Sequence, residues 1–178
     1  VMLQRTRAEQ VINPFNIFDR KFRVAQQLSD FTEKDAYLIF SSLGLRWRIP
    51  LFVRLADEIS RCNGRLPRTE KDLRALPGIG SYTAAAALSL YSNVRAVIVD
   101  ANTVRIICRL LGKEAGPEIR RQNWIMANLE YLTPEAEFRE FNYSLIDLGA
   151  LVCRPHRPLC VKCPLREFCV TGKANSFL

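Results

Sequence analysis

Apolar residues fall at helical spacing along most of the chain, with polar residues filling the faces between them. The pattern predicts helices over 1–11, 24–28, 33–42, 49–61, 70–76, 82–91, 102–111, 118–131 and 135–151. The first is expected to end before Pro14, whose ring cannot continue a helix without losing a hydrogen bond. In 49–61, Ile49, Phe52, Val53, Ala56 and Ile59 form one stripe, and Pro50 is tolerable in the first turn. Thr32 with Asp35 and Thr69 with Asp72 have the spacing of helix caps, and Gly44 and Asn63-Gly64 read as stops. Almost no strand signal exists beyond the apolar run 94–99, which Arg95 interrupts. The expected fold class is therefore all-α.

Two connections carry more than topology. Leu76-Pro77-Gly78-Ile79-Gly80 is read as a hairpin too tight for side chains at either glycine, with a helix leaving it at Tyr82. Glycines permit positive φ, so backbone N–H groups can converge at a helix N-terminus and hold an anion such as a phosphate. The plainer reading is an ordinary Gly-rich helix connection. The second is the end of the apolar run, which delivers Asp100 just before the helix 102–111. Asp is a good N-cap, so this carboxylate has a structural reading beside a catalytic one. Asn102 is well placed to hold it through its amide.

Composition narrows the partners. The 178 residues are 48% hydrophobic, enough for one sizeable core or two small ones. Neither a membrane-length apolar run nor a signal peptide is seen, so a cytoplasmic (nucleoid-associated) or nuclear location is expected rather than secretion. A formal charge of +8 favours a polyanionic partner. Of six cysteines, Cys62 and Cys108 stand singly on amphipathic helices and read as buried free thiols. Cys153, Cys160, Cys163 and Cys169 crowd one C-terminal loop. Four thiolates there point to a metal site, and ligand count alone leaves Zn²⁺ and an iron–sulfur cluster both open. Arg154, Arg157, Lys162 and Arg166 interleave them as a basic rim. His156, the one histidine, reads as a bystander.

Taken together, LPGIGSYTA, VDANTVR, the Phe141-Asn142 to Cys153 stretch and the x6, x2, x5 cysteine spacing resemble the helix–hairpin–helix DNA glycosylase superfamily across essentially the whole chain. The resemblance implies a six-helix barrel domain over 1–97, with the hairpin at 76–82, and a cluster domain over 98–178, with a DNA-binding groove between them. It implies a [4Fe–4S] cluster on the four cysteines, and Asp100 as the catalytic carboxylate. The segment VMLQRT resembles the family's lesion-entering segment, in which Gln4 wedges beside the flipped nucleotide and Arg5 helps to read the base. The loop Leu43–Arg48 resembles the one that inserts a side chain beside the orphaned base, with Leu45 as the wedge and Arg46 next to it. Without that role Leu45 and Trp47 join the core, a reading that suits Trp47 at least as well. Relatives carry a glutamate just before the lesion-entering segment, a place upstream of Val1; Glu9, two turns further on, is no substitute. The chain is expected to be a fragment or to lack an N-terminal segment.

Tyr82 discriminates among activities. In the strand-cleaving endonuclease III type this position is a lysine whose amine forms a Schiff base, which a phenol cannot do. Adenine-removing relatives mostly carry Ser there and thymine-mismatch enzymes Tyr; the structural alternative is a core tyrosine with its hydroxyl bonded. The resemblance thus implies a monofunctional DNA N-glycosylase without lyase activity, acting as a monomer on double-stranded DNA that carries thymine or uracil opposite guanine, with no membrane partner. The alternative is an adenine glycosylase acting opposite 8-oxoguanine or guanine. Tyr82, Arg5, Leu45 and a chain that stops soon after Cys169, without that enzyme's further C-terminal domain, all argue against it. A non-catalytic iron–sulfur DNA-binding module is the rival from another class, and retention of Asp100 in its motif argues against that.

Overall fold

The computed structural model describes residues 1–4, 6–44, 46–114, 116, 119 and 122–174. Regular structure among them is helical throughout, and none of these helices is long and apolar enough to cross a membrane. The chain divides into two compact units, Val1–Ala84 and Ala85–Leu178.

The first unit contains α1 (Ala8–Lys21), α2 (Glu33–Phe40), α3 (Ile49–Arg61) and α4 (Glu70–Ala75), and the start of α5 (Ser81–Ala86). Its core is aromatic. Phe18, Phe22, Phe31, Phe40 and Phe52 make a chain of ring contacts with centroids 4.6 to 6.1 Å apart. Such pairs add about 0.5–1.5 kcal/mol each beyond the area they bury. Thr32 and Thr69 cap α2 and α4 by accepting from the N–H of Asp35 and Asp72, as their spacing predicts.

The N-terminus departs from expectation. Residues 1–4 form a turn, and α1 begins only at Ala8 and continues through Pro14 to Lys21. The Arg48 guanidinium explains the turn, since it donates to the carbonyls of Val1 and Gln4 and so supplies partners from outside a helix. Burial explains the continuation. Val11 and Pro14 are buried and Phe18 and Phe22 stack in the aromatic core, which offsets the roughly 3 kcal/mol that an interior proline costs.

The second unit contains α6 (Ala101–Leu110), α7 (Asn123–Leu132), α8 (Phe138–Asp147) and α9 (Val170–Ala174). Val104, Ile106, Ile107, Cys108, Ile125, Leu129 and Leu145 build its core. The apolar run before Asp100 is neither helix nor paired strand, with Ile98 fully buried. Arg95 leaves that run to donate to the carbonyls of Glu130, Thr133 and Pro134, capping the C-terminal end of α7. Buried Asn142 on α8 donates to Ser89 Oγ and Ala96 O, at 2.8 and 3.0 Å. The helices predicted as 82–91 and 135–151 each finish in a wider π turn, Ala87–Tyr91 and Leu148–Val152. The start of the predicted 118–131 helix lies outside the described residues, and α7 begins at Asn123. Cys108 is buried, 1% exposed, as expected. Cys62 is exposed, because it falls one residue past the end of α3 and off its apolar stripe.

Candidate functional site

The hairpin between α4 and α5 separates its two glycines by role. Gly78 has φ +73°, a left-handed backbone that L side chains rarely adopt. Gly80 has no such φ, and a Cβ built there meets nothing within 4 Å. The expectation that both positions are too tight for a side chain therefore holds for neither by contact, since a Cβ at Gly78 meets only Leu51 at an ordinary 3.5 Å. Backbone conformation demands glycine at 78, and open space surrounds 80. Tyr82 follows in the first turn of α5, half-buried.

Gln4 is tied to this hairpin. Its Nε2 donates to Thr83 Oγ1 at 2.7 Å and to Gly78 O at 3.3 Å, while its own carbonyl accepts from Arg48 at 3.0 Å. Arg48 is 4% exposed and lies over the Phe52 ring, 5.1 Å from its centre. Neither Thr83 nor Arg48 was singled out from the sequence, where nothing marks an arginine in a basic loop as an interior tether. Arg46 is exposed, with its guanidinium 5.5 Å from the centre of the Tyr37 ring. Trp47 is 67% exposed, against the expectation that it joins the core. The three-residue 3₁₀ turn Arg46–Arg48 sends the Arg48 side chain inward, and its neighbour faces out. Arg5 and Leu45 lie outside the described residues.

In the second unit, Asp100 is the N-cap of α6, and its two oxygens are used differently. Oδ1 accepts from the backbone N–H of Asn102 and of Thr103, both at 2.8 Å; Oδ2 accepts from Asn102 Nδ2 at 3.0 Å. Thr103 Oγ1 returns the favour by accepting the Asp100 N–H at 2.9 Å, which completes a capping box. An oxygen with two donors has its in-plane lone pairs occupied, whereas Oδ2 keeps one for another group. The side-chain reading of Asn102 is thus met.

Behind Asn102 stands a residue that sequence reasoning passed over. Arg105 donates to Asn102 Oδ1 at 2.9 Å, to Gly149 O at 2.7 Å and to Cys153 O at 2.7 Å. Gly149 must be small, because a Cβ there would stand 2.5 Å from Asn102 Cβ. One turn on, Arg109 donates to Arg154 O, to Pro155 O and, at 3.4 Å, to Cys153 Sγ. A cation in VDANTVR is the only sequence signal for Arg105, and it looks like any helix-surface arginine.

Cys153, Cys160, Cys163 and Cys169 all line one largely apolar cavity, together with Ile106, Leu148, Leu165 and Arg166. Burial pushes the Cys163 thiol up; nearby Cys153, Cys169 and Cys160 act in the same sense, against a backbone hydrogen bond at Leu165. Four thiolates here crowd like charge, which a cationic metal core relieves, so the donor set fits such a group. No three His, Cys, Asp or Glu side chains among the described residues are grouped as ligands of a single ion. Arg154, Arg157 and Lys162 are exposed around the loop, as is His156; Arg166 is half-buried.

Residues 62–90 match the helix-hairpin-helix motif. Over 95% of its length the chain is 31% identical to the thymine/uracil-DNA glycosylase of Methanothermobacter thermautotrophicus, covering 77% of that protein. It belongs to the helix–hairpin–helix DNA glycosylases. Among other members of this DNA glycosylase family, the human adenine DNA glycosylase is 33% identical over 95% of the chain, which spans only 32% of that longer protein. The solved structure of a thermostable thymine-DNA glycosylase superposes with a TM-score of 0.82 at 30% identity, over 97% of this chain and 81% of that one.

Proposed function

We propose that the chain is a monofunctional DNA N-glycosylase of base excision repair that releases thymine or uracil opposite guanine from double-stranded DNA. The observation that carries the reading is Asp100, whose carboxylate is oriented by three donors and keeps a lone pair on Oδ2. A nucleotide is first turned out of the duplex, at a cost of a few kcal/mol that a mispair reduces. The bond from C1′ to the base nitrogen then breaks, its electron pair leaves with the base, and C1′ gains oxocarbenium-like positive charge. A fixed carboxylate stabilises that charge without reorganising. Water adds to C1′ and its released proton neutralises the departed base anion, leaving a C1′ hydroxyl and an intact sugar–phosphate backbone.

Tyr82 supports the monofunctional and pyrimidine parts of the reading. No amine is available at that position to attack the sugar. Gln4, Arg46, Gly78 and Gly80, with Arg5 and Leu45, are the proposed contacts to DNA in the first unit, and Arg154, Arg157 and Lys162 are proposed to meet phosphates in the second. Cys153, Cys160, Cys163 and Cys169 are proposed to hold a [4Fe–4S] cluster, which when bound supplies four covalent cross-links to the loop and compensates its thiolate charge.

Adenine release is the second reading, favoured by the 33% identity to the human adenine DNA glycosylase. Single-turnover base release separates the two. Thymine or uracil is expected to leave a guanine mismatch much faster than adenine leaves an 8-oxoguanine pair, and the reverse order refutes the specificity. Product strands are expected to stay whole until heated in alkali, with no borohydride-trapped complex; trapping at Lys71 or Lys113 would mean that the chain carries a nucleophilic amine after all.

A further inference from the structure

We propose that Trp47 is a stacking platform for an unstacked DNA base at a mispair, the aromatic half of an element whose cationic half is Arg46. The inference rests on the DNA-binding reading above and names a contact that the reading does not contain. Trp47 leaves 67% of its surface in water while both sides of its turn are anchored. On one side Arg48, 4% exposed, is tethered to the carbonyls of Val1 and Gln4; Ile49, buried, opens α3. On the other side Arg46 lies over the Tyr37 ring. The indole thus faces outward next to a tethered, buried arginine, which reduces the ordering needed when it meets a flat partner. A polar residue here would serve a purely structural turn equally well, without exposing the largest apolar side chain.

The surroundings identify the partner by charge. No Asp or Glu occurs between Asp35 and Asp57, whereas Arg46 and Arg54 in that interval are both exposed. An exposed indole next in sequence to an exposed arginine, in a segment without acid, suits a ligand that joins a stacking surface to negative charge. Nucleic acid has both: every base offers a π-face, and its phosphates meet the arginines. A base that has lost its stacking neighbour gains most from such a platform, so mispaired duplex is preferred to matched duplex.

The chain contains two tryptophans, Trp47 and half-buried Trp124. In a Trp124→Phe variant, Trp47 is the sole emitter. The experiment titrates this protein with an end-labelled duplex carrying one G:T mispair and with its matched counterpart, following label anisotropy and tryptophan emission together. Emission should be quenched in step with binding, and more by the mispaired duplex. Trp47→Ala should weaken binding to the mispaired duplex by roughly tenfold, as expected for loss of one stacked base, with Trp47→Phe restoring most of it. The slope of log affinity against log salt should stay the same in Trp47→Ala and become shallower in Arg46→Ala. Rising anisotropy with unchanged emission, or wild-type affinity in Trp47→Ala, overturns the platform and leaves the DNA-binding reading intact. No anisotropy change with either duplex overturns both.

Discussion

Replacing Asp100 by Asn and by Ala separates the structural duty of this residue from the chemical one proposed for it. Asn keeps a carbonyl oxygen where Oδ1 accepts from the N–H groups of Asn102 and Thr103. Asn and Asp are near-equal N-caps, so α6 keeps its start. What Asn loses is at the other oxygen, where its amide would face the amide of Asn102 in place of the 3.0 Å hydrogen bond. Forfeiting one hydrogen bond to a charged group costs about 1.5–3 kcal/mol, reduced here because the site is only half-buried and Asn102 can turn. Ala loses that bond and the cap, a further 0.5–2 kcal/mol or so. For a chain of this size each kcal/mol lowers Tm by about 2–4 °C. The Asn variant is therefore expected to melt a few degrees below wild type, and the Ala variant several degrees below that.

Turnover should follow a different order. Removing one preorganised group from a transition-state charge costs about 2.7–4 kcal/mol, or 10²–10³ in rate. Both variants are expected to lose at least this much base release under single-turnover conditions while binding mispaired duplex near normally. Unfolding cannot mimic the loss, since a domain with 5 kcal/mol of stability that gives up about 2 remains more than 99% folded, and one that gives up about 4 is still more than about 80% folded. Thermal melts, anisotropy and base release on the same preparations test each part. Near-normal turnover in Asp100→Asn refutes the catalytic assignment, and equal destabilisation in the two variants refutes the division between the oxygens.

Other perturbations have definite outcomes. Gly78→Ala should cost about 1–2 kcal/mol because its φ of +73° strains an L residue, whereas Gly80→Ala should cost under about 1 kcal/mol in a thermal melt yet weaken binding to duplex DNA, since its Cβ occupies open space. Arg105→Met leaves Asn102 Oδ1, Gly149 O and Cys153 O without their donor and should cost about 2–3 kcal/mol, with base release falling further than in an equally destabilised core variant of α7. Protein prepared without air should be brown, with broad absorption at the blue end of the visible, and Cys160→Ser should bleach it; colourless protein containing zinc and no iron contradicts the cluster. Asp35, hydrogen-bonded by Lys21 and then Thr32, is held below the usual carboxylate range, so its contribution is fully present above about pH 4 and fades as pH falls through its folded pKa. Asp35→Asn should accordingly lower stability by under about 1 kcal/mol at neutral pH, with the difference vanishing in acid melts.

What the sequence made legible was local. The caps at Thr32, Thr69 and Asp100 depend on side chains reaching two or three residues along the chain, and all three appear as their spacing predicts. The stripe on 49–61 likewise gives α3 to the residue. What escaped depends on distant partners. The extent of α1 is decided by Arg48, more than forty residues away, and by aromatic rings on other helices. Trp47 had a core reading left open beside the loop one, because an apolar side chain in a short loop has no periodicity to say which way it faces; it is exposed. Arg105 was passed over because its acceptors, Gly149 O and Cys153 O, are backbone atoms with no residue signature. The four cysteines were legible as a set, and the cavity they line brings together positions up to sixteen residues apart.

A common feature underlies both the successes and the misses at the candidate site. Neighbouring groups of one kind divide into an inward, structural member and an outward, available one. Gly78 serves a left-handed turn while Gly80 leaves space. Arg48 is an interior tether while Arg46 stays exposed. Within Asp100 itself Oδ1 holds the start of α6 and Oδ2 retains a lone pair. The inward member fixes the position of the outward one, which answers the requirement that a reacting or binding group be held before its partner arrives. Residue type is the same for both members, so the sequence can announce the pair without saying which is which. That assignment depends on φ, burial and hydrogen-bond direction, and these are tertiary quantities. The cap reading and the catalytic reading of Asp100 were consequently never rivals. A carboxylate used for chemistry at a helix start needs one oxygen committed to the backbone before the other has a defined direction.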